Sequence, residues 1–294
     1  MTPRATALRR LLSEDKCHMV PSCWDALSAK MIGQAGFAFT FMSGFAVSAA
    51  RLGEPDLGLI SYSEMADQVR NICAATAMPV IADGDTGWGN ALNVERTVHG
   101  FFQAGAASIM IEDQVSPKRC GHTKGKLVVE RADALDRIKA AVFARDAIRK
   151  RGGDIMILAR TDARAGHGLD EAIWRANAFR DLGADILFIE APHSAAEMER
   201  MIKAAPGIHL ANMVEGGATP ILPMNQLREL GYGLAIFPLT LLSAAMRSIL
   251  NGLAVMKAGG HPAGAVMDFA ALRAEVGFDA YYAAEQRYAG KREG

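Results

Sequence analysis

The chain has 294 residues, 50% of them hydrophobic and 22% charged, which is enough apolar material for a large core and too little charge for a disordered protein. Its 32 Lys and Arg residues balance its 32 Asp and Glu residues, so no overall field attracts nucleic acid or an anionic membrane. We therefore expect a globular protein without nucleic-acid or membrane partners, whose binding depends on a local site.

The N-terminal region indicates a cytoplasmic protein. Charged residues between 9 and 16 interrupt it before an apolar stretch develops, which argues against an ordinary secretory signal. The uncharged run 31–50 is broken by polar residues and glycines, so we interpret it as a buried strand followed by a small-residue loop. The four cysteines form no CxxC pair, and neither a disulfide framework nor a zinc site is predicted.

An amphipathic segment, a glycine and a short apolar run recur in that order along the chain. The copies are QAGFAFTFMSG at 34–44, QAGAASIMIED at 103–113, DLGADILFIEA at 181–191 and ELGYGLAIFP at 229–238. The glycine suits the end of a helix, and the uninterrupted apolar run is typical of a strand buried on both faces of a parallel sheet. Each copy therefore predicts a turn from a helix into a strand.

Further apolar runs bring the candidate strands to eight, near 19–22, 79–82, 155–159 and 208–211. Segments with helical periodicity lie between most of them, at 62–76, 131–150, 169–181 and 194–204. This alternation predicts a single (α/β)8 TIM-type barrel over 1–294, with helices at 239–257 and 267–288 in a C-terminal extension over 239–294. An open doubly wound sheet is the alternative, but no GxGxxG turn follows the first strand.

Polar residues follow most of the predicted strands, where a barrel of this type carries its catalytic groups. They are Ser43, Gly44, Asp83, Asp85, Glu112, Asp113, Arg160, Asp162, Glu190 and Asn212. Converging carboxylates repel one another unless a cation neutralises them, and oxygen ligands without His or Cys favour Mg²⁺ or Mn²⁺ over zinc. We therefore predict a Mg²⁺ site on this rim, although Asp83-Gly84-Asp85 alone fits a solvated loop or a helix cap equally well.

One cysteine lies in a polar, basic loop, SPKRCGHTKGK at 116–126, which its glycines and charge would suit to act as a mobile gate. Cys120 is flanked by cations that stabilise a thiolate, Lys118, Arg119 and His122, so we predict an acid/base role for it. His122 fits a metal ligand, a catalytic base or a donor to a substrate carboxylate. The other cysteines fit the usual role of a small core residue: Cys17, Cys23 and Cys73.

Two further groups suit anion binding. Arg160 follows a strand, and its guanidinium can bind a carboxylate through two hydrogen bonds, although an ion pair with Glu190 or Asp162 is the structural alternative. The loop NMVEGGATP at 212–220 offers amide donors, beginning with Asn212. No predicted strand ends in lysine, which argues against Schiff-base chemistry.

Five segments in collinear order resemble the isocitrate lyase/phosphoenolpyruvate mutase superfamily over about residues 5–260: SGFAVSAARLGEPDLGL, DGDTGWGNALNVERTV, IEDQVSPKRCGH, ARTDARAGHGLDEAI and LANMVEGGATP. The KRCGH segment resembles the lyase branch, because the mutase and phosphonopyruvate hydrolase branches lack that cysteine. Within this branch the chain is most similar to the 2,3-dimethylmalate and 2-alkylmalate lyases, petal death protein included, and next to the 2-methylisocitrate lyases.

The resemblance implies a barrel whose eighth helix is exchanged within a homotetramer, and Mg²⁺-dependent cleavage of a carbon–carbon bond in a 2-hydroxy di- or tricarboxylate. The products would be a 2-oxo acid such as pyruvate and a carboxylic acid. By position, Asp85 would bind the metal directly, with its waters held by Asp83, Asp56 and Glu112. The pyruvyl carboxylate would be bound by Ser43, Gly44 and Phe45. The rest of the substrate would contact Arg160, His122, Gly121, Glu190 and Asn212.

The resemblance also implies that Cys120 protonates the enediolate left by bond cleavage, while the metal and Arg160 stabilise the developing charge. The methylisocitrate lyases carry a tyrosine two positions before the SG motif, and Phe41 stands there, which leaves Glu190 as the candidate base. Phe45 replaces a glycine of the methylisocitrate lyases and predicts a smaller pocket that favours a short alkylmalate. The alternatives are 2-methylisocitrate cleavage, oxaloacetate hydrolysis, phosphonate chemistry, and a non-catalytic barrel that binds metal and dicarboxylate.

Overall fold

The computed structural model describes residues 4–121 and 125–288. These form two compact units that divide between Leu241 and Leu242. The first unit contains eight parallel strands, hydrogen-bonded in chain order and closed into a barrel by pairing of the first strand with the eighth. The predicted (α/β)8 barrel is therefore confirmed.

The strands are β1 (His18–Cys23), β2 (Thr40–Met42), β3 (Val80–Asp83), β4 (Ser108–Glu112), β5 (Met156–Thr161), β6 (Ile186–Ile189), β7 (His209–Asn212) and β8 (Tyr232–Phe237). The helices up to β8 are α1 (Arg4–Leu12), α2 (Ala26–Gln34), α3 (Gly44–Leu52), α4 (Tyr62–Ala75), α5 (Ala91–Gln103), α6 (Arg131–Lys150), α7 (Ala163–His167), α8 (Leu169–Asp181), α9 (Ala195–Ala204) and α10 (Met224–Leu230).

The recurrent glycine acts as the sequence pattern predicts. Gly36, Gly105, Gly183 and Gly231 follow α2, α5, α8 and α10 with φ of 85°, 98°, 104° and 98°. This left-handed conformation costs a residue with a Cβ atom about 1–2 kcal/mol, so glycine is favoured where the chain leaves a helix and enters the next strand.

Helix α1 closes the end of the barrel at which the strands begin. Its Ala5, Leu8 and Leu12 pack in one apolar cluster with side chains from inside the barrel, such as Ile81 and Leu158. Arg4 donates hydrogen bonds to the carbonyls of residues 73, 76 and 105, which lie before β3 and β4. With this end filled, the opposite end, where the strands finish, is left for a site.

One prediction for the first unit is wrong in detail. The sequence predicts a small-residue loop after β2, but residues 44–52 form α3. The Ser43 side chain caps the helix by accepting a hydrogen bond from the Ala46 amide at 3.3 Å. The small residues that suggest a loop are mainly alanines, which have the highest helix propensity.

The second unit holds most of α11 (Thr240–Lys257) and two short helices, α12 (Phe269–Val276) and α13 (Phe278–Glu285). The single helix predicted over 267–288 is therefore wrong, because Gly277 breaks it in a left-handed conformation with φ of 96°. Between 243 and 288 no residue is buried. Within the described ranges, no helix is long and apolar enough to cross a bilayer.

Candidate active site

A cavity of about 50 Å³ lies where the strands end and brings many of the predicted residues together. Its walls include Ser43, Phe45, Asp56, Asp83, Cys120, Gly121 and Arg160. This space suffices for a few water molecules and is well below the roughly 300 Å³ typical of a small-molecule site. The cavity formed by the described residues is therefore smaller than a typical site for a dicarboxylate.

The carboxylate of Asp83, at the end of β3, is held in a fixed position. Asp83 accepts hydrogen bonds from the backbone amides of Gly44 at 3.1 Å and Asp85 at 3.0 Å. A Cβ atom at Gly44 would lie 2.5 Å from the Asp83 carboxylate, so only glycine permits this approach. Asp85 itself has φ of 47°, an unusual conformation for a residue with a side chain. The turn thus fixes two carboxylates at the mouth of the barrel.

Lys118 lies among these acids, a position that the sequence does not predict. Its Nζ is 2.7 Å from Asp56 Oδ1 and 2.9 Å from Asp85 Oδ1. Although burial lowers the pKa of Lys118, Asp85 and Asp56 more than offset this, and the pKa stands well above its ordinary value. The sequence predicts that Lys118 stabilises the Cys120 thiolate, whereas its ammonium instead contacts carboxylates that are 62 and 33 residues away in the chain.

The donor chemistry of this cluster fits a hard divalent cation. The Oδ1 atoms of Asp56 and Asp85 are buried, and Glu112 Oε1 is buried without a hydrogen-bond partner in the described part of the chain. Burial raises the pKa of Asp85 to about 7, against the opposing effect of Lys118. Across 4–121 and 125–288, no three His, Cys, Asp or Glu side chains surround one point as metal ligands. The cluster is therefore compatible with one direct carboxylate ligand and further ligands that are water.

Arg160 is the centre of a second, buried group of charges. Its Nε lies 2.8 Å from Asp162 Oδ2 and 3.2 Å from Glu112 Oε2, and its Nη2 lies 3.1 Å from Glu190 Oε2. Both ion pairs proposed as the structural alternative, with Asp162 and Glu190, are therefore present. They also hold the guanidinium in the wall of the cavity, where it would meet an anionic ligand.

Residues outside the predicted site support Arg160. Lys126 Nζ lies 2.8 Å from Asp162 and also donates to the Gly121 carbonyl. Burial acts to raise the pKa of Asp162, but Arg160 and Lys126 outweigh it and lower the pKa to about 2. Asp113 in turn accepts a hydrogen bond from the Asp162 amide at 2.9 Å. In the sequence, Asp113 and Asp162 follow predicted strands and Lys126 lies in the basic loop. The sequence does not show that Lys126 pairs with Asp162.

Glu190 and Asn212 also meet at this rim. Asn212 Nδ2 lies 3.2 Å from Glu190 Oε2, and the Ala191 amide donates to Glu190 Oε1 at 2.8 Å.

Cys120 is half-buried in the cavity wall, whereas Phe41 is buried inside the barrel. The prediction for His122 lies outside the described residues.

The three remaining cysteines differ from Cys120 in their surroundings. Cys23 and Cys73 are buried in the apolar core between strands and helices, and Cys17 is half-buried. Burial raises the pKa of Cys23 to about 12 and of Cys73 to about 11. Neither thiol is thus suited to acid/base work near neutral pH.

Gly121 offers a steric test of the site. A Cβ atom there would lie 2.3 Å from Glu190 Oε2 and 2.4 Å from Arg160 Nη2. Gly121→Ala is expected to push residues 120 and 121 away from Arg160 and Glu190 and to lower kcat/KM of the reaction at this site by about 100-fold, the cost of roughly 1 Å of misplacement. Gly166→Ala is the control, because a Cβ there meets no atom within 4 Å. Wild-type kinetics for Gly121→Ala would show that catalysis does not need the close approach of Gly121 to Arg160 and Glu190.

Together, the barrel, the acidic cluster and the cavity define an enzyme of the (α/β)8 class with a polar site at the strand ends. The family model for phosphoenolpyruvate phosphomutase matches residues 8–257. The chain is 45% identical to 2,3-dimethylmalate lyase of Eubacterium barkeri over 264 residues, 90% of this chain and 89% of that protein. It is 42% identical to petal death protein of Dianthus caryophyllus, covering 88% of this chain and 80% of the relative. The chain therefore belongs to the isocitrate lyase/phosphoenolpyruvate mutase superfamily.

Solved structures of the same superfamily share the whole fold. A crystal structure of 2,3-dimethylmalate lyase superposes with a TM-score of 0.92 at 34% identity, over 99% of this chain and 97% of that one. Oxaloacetate acetylhydrolase with 3,3-difluorooxalacetate gives 0.91 at 34% identity, over 98% of both chains. Phosphonopyruvate hydrolase with oxalate and Mg²⁺ gives 0.85 at 29% identity, over 98% and 100%.

Proposed function

We propose that the protein is a Mg²⁺-dependent carbon–carbon lyase that cleaves a 2-hydroxy diacid of the 2-alkylmalate or 2,3-dimethylmalate type. The products are pyruvate, or a related 2-oxo acid, and a carboxylic acid. The observation that carries this proposal is the meeting of an acidic cluster, Arg160 and the Cys120 thiol around one cavity. The 45% identity to a 2,3-dimethylmalate lyase supports the choice of substrate class.

The acidic cluster is the proposed metal site. Asp85 would bind the ion directly, and Asp56, Asp83 and Glu112 would hold its waters. Mg²⁺ is the proposed ion because carboxylates and water are its preferred ligands and phosphonopyruvate hydrolase, a structural relative, forms a complex with oxalate and Mg²⁺. Mn²⁺ suits the same ligands. When bound, the ion supplies positive charge that favours ionisation of the substrate hydroxyl.

The start of α3 is the proposed site for the pyruvyl carboxylate. Ser43, Gly44 and Phe45 lie at the N-terminus of this helix, where unpaired amides and the helix dipole favour an anion. Ser43 and Phe45 also line the cavity. The rest of the substrate contacts Arg160, Gly121, His122, Glu190 and Asn212.

Cleavage moves one proton off the substrate and returns one to the product. Glu190 is the proposed base for the 2-hydroxyl, and the resulting alkoxide becomes the carbonyl of the 2-oxo acid as the C2–C3 bond breaks. The bonding electron pair stays on the other fragment as an enediolate, whose charge Arg160 stabilises. The Cys120 thiol then protonates the carbon, and the thiolate is reprotonated before the next turnover.

We further propose a cytoplasmic homotetramer in which residues 239–294 form a helical extension of a single barrel domain and exchange between subunits. Apolar side chains that stay exposed support this assembly, because soluble monomers seldom leave such clusters uncovered: Met246, Ile249, Leu250, Leu253, Phe269 and Tyr281. The balanced charge of the chain favours small-molecule partners over nucleic acid.

Hydrolysis of oxaloacetate to oxalate and acetate is the second candidate reaction. The likeness to an oxaloacetate acetylhydrolase, with a TM-score of 0.91, is the observation that supports this second candidate. Both reactions break a carbon–carbon bond beside a carboxylate and need the same anion-binding groups. The released products, pyruvate or oxalate, distinguish them.

Phe45 is the proposed determinant of substrate size. Phe45 lines the cavity, as do Val214 and Leu239, so wild-type enzyme is expected to prefer 2,3-dimethylmalate and 2-ethylmalate to 2-methylisocitrate. Phe45→Ala should shift the ratio of kcat/KM values toward 2-methylisocitrate by about tenfold or more, the usual effect of a few methylene-sized contacts. Phe143→Ala, at an exposed phenylalanine of α6, is the control. A ratio unchanged by Phe45→Ala would contradict this role.

A further inference from the structure

Lys118 is buried within the cluster that we assign to the metal. Its side chain is 6% exposed, and those of Asp56 and Asp85 are each 5% exposed. Nζ contacts both oxygens of Asp56, at 2.7 and 2.8 Å, and Oδ1 of Asp85 at 2.9 Å. These three short contacts place the ammonium between two carboxylates from different loops.

The charge of the cluster explains why a cation is held there. Asp56, Asp83, Asp85 and Glu112 all act electrostatically on Lys118. Glu112 is also paired with Arg160 at 3.2 Å, whereas Asp56 and Asp85 face the lysine. Buried like charges a few ångströms apart destabilise a fold unless a cation lies between them.

A lysine side chain can neutralise these carboxylates reversibly. Its ammonium is a compact charge on a flexible four-carbon stem, so it can enter the cluster and withdraw as the stem changes rotamer. It also forms an ion pair with Asp85 Oδ1, one of the two oxygens of the proposed direct ligand. An ammonium at this distance and a divalent ion cannot occupy the same space between Asp56 and Asp85.

We propose that Lys118 is a tethered counter-cation that competes with the divalent ion for the carboxylates of Asp56 and Asp85 and must withdraw before the ion binds. This inference rests on the metal site of the proposed function. Lys118 stabilises the acidic cluster while no metal is present, and metal affinity is the outcome of competition between the two cations.

Direct metal titration tests the competition without an activity assay. Mn²⁺ binding is measured by the loss of the free-ion electron paramagnetic resonance signal for wild type, Lys118→Met and Lys118→Gln. Both variants are expected to bind Mn²⁺ at least tenfold more tightly than wild type. Arg145→Met is the matched control, because Arg145 is also buried against a carboxylate, that of Asp185, but lies away from the strand ends, so its Mn²⁺ affinity should equal that of wild type.

Thermal unfolding supplies a second readout. In EDTA, the Lys118 variants should have a lower Tm than wild type, and saturating Mn²⁺ should remove most of this difference. Arg145→Met should lower Tm under both conditions. Equal Mn²⁺ affinity in wild type and both Lys118 variants, or a Tm deficit that persists in Mn²⁺, would overturn the inference and leave the metal site intact. Absence of Mn²⁺ binding in all the proteins would overturn both.

Discussion

Replacing Cys120 by serine is expected to lower kcat for pyruvate release by about 10³-fold, within the range that a general acid contributes. The hydroxyl of serine is a far weaker acid than a thiol, whose ordinary pKa is about 8.5, so protonation of the enediolate carbon becomes slow. Cys120 lines the cavity beside Gly121 and Arg160, and the acidic cluster is left unchanged. Mn²⁺ affinity should therefore equal that of wild type.

Cys17→Ser is the matched control for this experiment. Cys17 is also half-buried, but it lies beside Met224 and Arg228, away from the strand ends. Its replacement should leave kcat unchanged. A Cys120→Ser variant that retains more than a tenth of wild-type kcat would contradict the acid role and would favour another proton donor, such as water.

Asp85→Asn is expected to abolish Mn²⁺ binding and to lower pyruvate release by about 10³-fold or more, because a bound divalent ion contributes several kcal/mol of charge stabilisation. An amide offers one neutral oxygen in place of a carboxylate. Chelation of wild-type enzyme with EDTA should have the same effect on rate, and added Mg²⁺ should reverse it.

Asp136→Asn provides the control for the loss of one aspartate, since Asp136 is exposed on α6 and pairs with Lys139. It should bind Mn²⁺ and turn over like wild type. Full activity of dialysed wild-type enzyme in EDTA would contradict the metal requirement, and would leave Arg160 and Lys118 as the cations of the site.

The barrel is predictable because its signals are local. Each recurrent glycine sits within a few residues of the strand it precedes, and buried strands carry apolar runs whatever their neighbours. The same logic places Asp83, Glu112 and Arg160 at strand ends. Local signals gave two wrong predictions. A single residue, Gly277, divides the helix that was predicted over 267–288, and the alanine-rich segment after Ser43, predicted as a loop, is a helix.

Ion pairs between loops at the mouth of the barrel are harder to predict from the sequence. In the sequence Lys118 is only a neighbour of Cys120, but its ammonium meets Asp56, which is 62 residues away in the chain. Lys126 likewise meets Asp162, 36 residues away. Such contacts depend on how loops fold back over the barrel, and neither periodicity nor spacing encodes that. For Arg160, the sequence allows both ion pairing and ligand binding, and its buried ion pairs keep it positioned for the second role.

The most direct test of the proposed function is product release from 2,3-dimethylmalate in the presence of Mg²⁺, with pyruvate measured through lactate dehydrogenase. Oxalate release from oxaloacetate is measured in parallel on the same preparation. We expect pyruvate from the alkylmalate at a rate that EDTA and Cys120→Ser both suppress, with little oxalate. Oxalate from oxaloacetate without pyruvate from any alkylmalate would contradict the lyase proposal and identify the protein as a hydrolase.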